Sequence, residues 1–104
     1  ASAALNQVRV SDEVAAYIVD IARATRSAPS LELGVSPRGA TALLRTSRAW
    51  AWLTGRDFVT PDDVKALAPA TLTHRLRLRP EAELDGASLE ASFATALASV
   101  PVPR

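Results

Sequence analysis

Apolar residues recur every three or four positions along much of the chain, which is the period of an α-helix. The first such segment follows Ser11, whose hydroxyl suits an N-cap, and two acids occupy the next positions, where the helix dipole favours them. The pattern fades near Ser27. The sequence therefore predicts a first helix between these two serines, with a buried face made of Val14, Tyr17, Ile18 and Ile21.

A second helix is predicted from Ser36 to the residue before Gly55. Ser36 is a suitable N-cap, Pro37 fits the first helical position, and Gly55 fits the position just past the end. The predicted inner stripe consists of Ala40, Leu43, Leu44, Ser47 and Ala51, and Trp50 and Leu53 are expected to widen it.

A third helical pattern starts at Thr60-Pro61-Asp62-Asp63, where Thr60 is a predicted cap and Asp63 completes a capping box. Pro69 lies inside this pattern and is expected to break or kink it, and the interpretation is two short helices that meet near Ala68. Beyond it, Leu76 and Leu78 alternate with arginines and predict a short extended piece, and residues 80–86 look turn-like. A last helix is predicted from Ser88 to Ser99, with Leu89, Phe93, Ala96 and Leu97 facing inward.

The remaining segments predict irregular structure. Residues 1–10 look like a lead-in with an extended piece at Val8 and Val10, and residues 27–36 look like a loop whose Leu31 and Leu33 are able to reach the core. The predicted fold is therefore all-α, a small bundle of four to five helices in one domain of 104 residues, without a stable sheet.

Composition narrows the function classes. There is no cysteine and one histidine, which excludes disulfides, thiol catalysis and zinc sites built from cysteine or several histidines. The formal net charge is +1, so the chain as a whole has no strong attraction to nucleic acid or anionic membranes. No apolar run reaches the roughly 20 residues of a membrane span, and no signal peptide is recognisable, so a cytoplasmic location is expected.

No catalytic constellation is recognisable. His74 is expected at the surface or the edge of the core, and the adjacent Asp62 and Asp63 are explained by their place at a helix start. There is no glycine-rich phosphate loop ending in Gly-Lys-Ser/Thr, so the chain cannot bind ATP by that route. We therefore expect no enzyme activity from this chain in isolation.

Arg38 stands out because it falls in the first turn of the second helix, at the positive end of the helix dipole. An exposed cation there costs on the order of 0.3–1 kcal/mol. Free backbone N–H groups point outward at the same place, and together with an arginine they suit an anion. The alternative is an ion pair inside the domain with Asp20 or Glu32.

Arg38 also begins a row of residues spaced three or four apart, which share one face of the helix. The row holds three arginines and no acid, so it is either a solvated polar face or a contact surface for an acidic or phosphate-bearing partner. Trp52 at its end is either an interface anchor or a cover for the core. The members of the row are Arg38, Thr41, Arg45, Arg48 and Trp52.

Several segments, in order and with matching spacing, resemble one known family. They are Val10–Val14 with Tyr17-Ile18-Val19, then Gly34-Val-Ser-Pro-Arg38 with Leu43-Leu44, Gly55–Lys65, Leu67-Ala68-Pro69, Leu72–Arg75 and the closing Val100–Arg104. Together they are similar to the C-terminal lid of MoxR-type AAA+ ATPases. One departure is Gly39, where the family more often has alanine, and which slightly loosens the first turn.

The resemblance implies that residues 1–104 form a C-terminal helical lid whose ATPase core is absent from this chain. It implies that Arg38 is the sensor-2 arginine, which reaches the γ-phosphate of ATP, and that Ser36 and Pro37 position the helix start. ATP and Mg would be held by the core, with nothing bound tightly to the lid alone. The implied partners are that core, a ring of identical subunits, commonly a hexamer, and a client such as a von Willebrand factor A domain protein, in a chaperone-like maturation role.

Two hypotheses of other classes remain at this point. A stand-alone nucleic-acid-binding module would lay the arginine row on phosphates, although the near-neutral charge and the lack of a lysine-rich arm argue against it. A helical protein-interaction module would need no nucleotide at all. In that case Arg38 would have no effect on nucleotide handling.

Overall fold

The computed structural model describes residues 7–103, which form five α-helices, one 3₁₀ turn and a two-stranded antiparallel sheet. The all-α prediction is confirmed, with the small sheet as an addition. The predicted lead-in over residues 1–10 lies partly outside the described residues. The elements are α1 (Asp12–Arg26), β1 (Leu31–Leu33), α2 (Pro37–Leu53), α3 (Pro61–Leu72), the 3₁₀ turn Thr73–Arg75, β2 (Arg77–Leu78), α4 (Pro80–Leu84) and α5 (Leu89–Ala98).

Side-chain caps fix the starts of the four long helices, as the sequence predicts. In each case a serine or threonine oxygen accepts a hydrogen bond from the backbone N–H three residues later, which satisfies one of the unpaired donors at a helix start. The pairs are Ser11 with Val14 (3.2 Å), Ser36 with Gly39 (3.2 Å), Thr60 with Asp63 (3.1 Å) and Ser88 with Ala91 (3.0 Å).

The core lies between α1, α2, α3 and α5, and α2 and α3 make the most extensive helix contact. Leu43 of α2 and Val64 and Ala68 of α3 are fully buried. The predicted inner face of α1 is buried throughout, as is Phe93 of α5. Burial of these apolar side chains is the main stabilising contribution, at roughly 25 cal/mol for each Å² removed from water.

Three predictions about elements are wrong. α3 is one continuous helix through Pro69, because the core packing of Val64, Ala68 and Leu72 outweighs the loss of one backbone hydrogen bond. Residues 80–84 form a short helix, with Pro80 at its first turn and two glutamates beside it. Leu31 is buried as expected, but it belongs to β1, paired with Leu78 of β2.

The inner stripe of α2 is narrower than the sequence predicts. Leu43, Ser47 and Ala51 are buried, whereas Trp50 is 47% exposed and Leu53 is 72% exposed. Leu33 is likewise 51% exposed, so only Leu31 of that pair enters the core. These side chains lie at the margin of the bundle because no further element of residues 7–103 covers them.

An ion pair holds the connection between α2 and α3. Gly55 has a φ of 81°, a conformation in which glycine is favoured, and it turns the chain past the end of α2. Arg56 then donates to both oxygens of Asp63, at 2.7 and 2.8 Å. Asp63 also accepts from the backbone N–H of Thr60 at 2.9 Å, which closes the predicted capping box. The turn at Gly55 and the Arg56–Asp63 ion pair therefore both help to fix the position of α3 relative to α2.

Candidate functional site

The segment before α2 is tied to the last turn of α1. Val35 is buried, and its N–H donates to the Thr25 hydroxyl at 2.9 Å. That hydroxyl in turn donates to the carbonyl of Ala22 at 2.7 Å. The Arg26 side chain donates to the Val35 carbonyl at 3.1 Å. The N–H and the carbonyl of Val35 are both hydrogen-bonded to α1, so the point at which α2 begins is fixed relative to α1.

Gly34 is required at this junction by close approach. A Cβ atom added there would lie 2.8 Å from the backbone nitrogen of Arg26 and 2.9 Å from its Cα. Any side chain would therefore push the loop away from α1. Each residue of the tetrapeptide 34–37 therefore has a structural role. Gly34 allows the close approach to α1, Val35 is buried, Ser36 caps α2 and Pro37 occupies its first helical position.

Arg38 is the first side chain beyond that anchor, and it is exposed. The first turn of α2 contains no acid. Among residues 7–103, no carboxylate lies within 4.0 Å of the Arg38 guanidinium, so the alternative pairing with Asp20 or Glu32 is absent there. The repulsion between this cation and the helix dipole is left uncompensated by those residues.

Arg38 lines a surface depression of about 510 Å³ together with two other arginines. Arg45 lies two turns further along α2, and Arg75 comes from the 3₁₀ turn after α3. No role was predicted for Arg75, the last residue of the segment Leu72–Arg75. Only the packing of α3 on α2 brings it near Arg38, so no local signal identifies it. The lining residues are Pro37, Arg38, Thr41, Ala42, Arg45 and Arg75.

The predicted row on α2 extends over about 21 Å at 1.5 Å per residue, so its two ends have different surroundings. Arg48 lies beside a second depression of about 800 Å³, which is mainly apolar and is bordered by Val10, Phe58 and Pro103. Its Nε is buried without a hydrogen-bond partner among the described residues. Trp52 is 48% exposed and borders a third depression beside Arg56. The structure thus groups Arg38, Thr41 and Arg45, and separates Arg48 and Trp52 from them.

The acidic residue Asp63 has a structural role. Burial raises the pKa of Asp63, but hydrogen bonds from Arg56 and Thr60 outweigh that effect and hold the pKa below its usual range. Asp63 is therefore ionised at neutral pH, where it forms an ion pair with Arg56. His74 is exposed, as predicted. Over residues 7–103 no three His, Cys, Asp or Glu side chains converge as metal ligands, and no helix has the length and apolar composition to cross a bilayer.

Comparisons with known proteins agree with this architecture. Residues 23–96 match the family model described as the AAA lid domain. The uncharacterised protein YeaC of Bacillus subtilis is 46% identical over 99 residues, covering 95% of this chain and 31% of YeaC. The protein MoxR of Paracoccus denitrificans is 38% identical over 105 residues, covering 84% of this chain and 30% of MoxR.

A solved structure has the same fold. It is the crystal structure of a protein from Cytophaga hutchinsonii that has been assigned as an ATPase. The TM-score is 0.89 at 32% identity, and the match covers 98% of this chain and 34% of the other. The chain spans about a third of the length of each of these relatives.

Proposed function

This chain belongs to the AAA lid domain family and is a lid of the MoxR type of AAA+ ATPase, and from that premise we propose that Arg38 couples ATP bound by the core of the same protein to movement of the lid. In this proposal residues 1–104 are the C-terminal lid domain of a longer protein, and Arg38 is its sensor-2 arginine. The chain has no hydrolytic activity of its own, because the nucleotide is bound by the core.

The observation that carries the proposal is a fixed helix start that holds a cation with no carboxylate partner among residues 7–103. The N–H of Val35 donates to the Thr25 hydroxyl and its carbonyl accepts from Arg26, and the Ser36 cap and Pro37 set the direction in which α2 leaves it. The guanidinium of Arg38 is presented to solvent from this fixed point. Arginine also binds phosphate oxygens through two parallel hydrogen bonds, which restricts the geometry of the contact.

The proposed contact has an energy that suits a switch. A hydrogen bond to a charged group contributes about 1.5–3 kcal/mol. Such a contact exists only while the γ-phosphate is bound, so hydrolysis removes it. A ligand shifts an equilibrium between two lid angles only through its different affinity for them, and this contact supplies such a difference. Arg38 also stabilises the charge that develops during phosphoryl transfer, as arginines do in other nucleotide hydrolases.

The wider function follows from the type of ATPase. The core supplies the ATP and Mg site, identical subunits assemble into a ring, commonly a hexamer, and lid movement passes between subunits. The cycle drives chaperone-like maturation of a client such as a von Willebrand factor A domain protein, in the cytoplasm. The exposed Arg45 and Trp52 and the half-buried Arg48 belong to the surface that contacts the core, a neighbouring subunit or the client.

The test compares ATP hydrolysis and ATP affinity in the full-length protein and its Arg38→Ala variant. We expect turnover to fall by about tenfold or more, with much of the nucleotide affinity retained, because the adenosine and the other phosphates contact the core. Arg77→Ala is the matched control, since Arg77 is also an exposed arginine but lies on β2, outside the depression. Turnover equal to wild type in Arg38→Ala would return Arg38 to a structural role.

A further inference from the structure

The depression beside Arg38 holds more positive charge than one sensor arginine accounts for. Three arginines line it, two from α2 and one from the 3₁₀ turn after α3. Residues 7–103 contain two ion pairs, Arg9 with Asp57 and Arg56 with Asp63, and neither involves these arginines. Like charges grouped without a counter-charge repel one another, and a bound anion with several negative oxygens removes that repulsion.

The position of Arg75 is set by packing against Gly39. A Cβ atom added at Gly39 would lie 3.5 Å from Cδ of Arg75 and 3.0 Å from Cγ1 of Val35. The aliphatic stem of Arg75 therefore lies over the one residue of the first turn of α2 that has no side chain. Long basic side chains commonly lie along the protein surface in this way while their charged ends stay in water.

This packing directs Arg75 toward the same depression as Arg38. Gly39 follows Arg38 in the chain, so the stem of Arg75 passes directly beside the backbone from which Arg38 projects. The hydrophobic side chain of Leu72, at the end of α3, would lie 3.7 Å from a Cβ atom added at Gly39, so it packs beside the same contact. The two arginines thus reach one site from different helices.

We propose that Arg75 is a second phosphate-contacting residue, which acts with Arg38 as a two-arginine clamp on the phosphate chain of the nucleotide. The inference rests on the function proposed above and deepens it, because the clamp is built from α2 and from the end of α3. Arg45, one helical turn beyond Thr41, adds charge at the far side of the depression. Loss of the terminal phosphate therefore releases α2 and the end of α3 together.

The experiment measures ATP affinity, ADP affinity and turnover in the full-length protein with two substitutions at Arg75. Arg75→Met keeps the stem over Gly39 and removes the charge, and Arg75→Lys keeps the charge and removes the planar fork. Arg38→Ala and the double variant complete a cycle, and Arg77→Met is the matched control. The midpoint of thermal unfolding is recorded for every variant.

We expect Arg75→Met to weaken ATP binding or turnover by about tenfold or more, with a smaller effect on ADP and an unchanged unfolding midpoint. Arg75→Lys should recover part of the loss. The effects of Arg75→Met and Arg38→Ala should not add, because the two side chains hold one group.

Three other outcomes would overturn the inference and are distinguishable. If Arg75→Met behaves like Arg77→Met while Arg38→Ala is impaired, Arg75 is not part of the site and the proposed function stands. If neither Arg38→Ala nor Arg75→Met differs from wild type, the proposed function fails as well. An equal loss in Arg75→Met and Arg77→Met would indicate a general effect of charge and would also overturn the clamp.

Discussion

Replacing Thr25 with valine removes a single hydroxyl group from the junction that fixes the start of α2. Valine has nearly the same shape as threonine, and the two have similar helix propensities, so neither a cavity nor a change in helix preference is expected. The side chain is fully buried, so water cannot replace the lost group. The substitution therefore isolates the hydrogen bonds of this hydroxyl.

The expected cost follows from those bonds. The Val35 N–H, which donates to Thr25 at 2.9 Å, would be left buried without an acceptor. An unsatisfied buried donor costs about 1–3 kcal/mol. The bond to the Ala22 carbonyl, at 2.7 Å, contributes less to the difference because that carbonyl is also a helix acceptor. We expect the free energy of unfolding to fall by about 2 kcal/mol, the middle of that range.

The assay is reversible unfolding of the 104-residue chain, followed by far-ultraviolet circular dichroism. For a domain of this size, a loss of about 2 kcal/mol lowers the unfolding midpoint by roughly 8–16 °C. Thr95→Val is the control, because the Thr95 hydroxyl is exposed and bonds only to a carbonyl of its own helix. The reasoning would be refuted if the Thr25 and Thr95 variants unfolded within about 2 °C of each other.

Two further predictions concern other buried polar groups. The Asp63→Asn variant should lose about 1–2 kcal/mol at neutral pH through its weakened cap and ion pair. Because the folded-state pKa of Asp63 is lowered, the contribution of its charge to the free energy of unfolding is complete above pH 5 and is lost as pH falls through about 3.9 and below. Denaturant titrations at pH 7, 5 and 3 should therefore show the stabilities of wild type and Asp63→Asn converging as the pH falls. A difference in stability that stays constant with pH would contradict this. Ser47→Ala should raise the free energy of unfolding by about 1 kcal/mol, since the Ser47 hydroxyl is buried without a partner among the described residues and alanine favours helix. A loss of stability in the same denaturant titration would mean that the hydroxyl has an acceptor.

The helix starts were predictable because the chemistry that sets them is local. Each of Ser11, Ser36, Thr60 and Ser88 lies within three residues of the N–H that it caps, so the sequence alone shows both partners. The same holds for the exposed position of Arg38 in the first turn of α2, which depends only on the place where the helix begins.

What the sequence did not show depends on contacts between distant segments. The short extended piece predicted at Leu76 and Leu78 contains β2, but the three residues of β1 were predicted as loop, and the pairing of the two strands joins segments far apart in the chain. The continuation of α3 through Pro69 depends on packing against α2. Arg75 joined the site for the same reason, since its neighbour Gly39 is far away in the chain. The role of Arg38 is a proposal that local geometry supports, and the Arg38→Ala variant and nucleotide complexes of the full-length protein test it.

The most direct measurement is a pair of structures of the full-length protein, one with a non-hydrolysable ATP analogue and one with ADP. The account predicts that a guanidinium nitrogen of Arg38 lies about 2.7–2.9 Å from a γ-phosphate oxygen in the first structure. It also predicts that the lid changes its angle to the core in the second. An Arg38 side chain that is turned away from the nucleotide in both structures, with the same lid angle, would contradict the account.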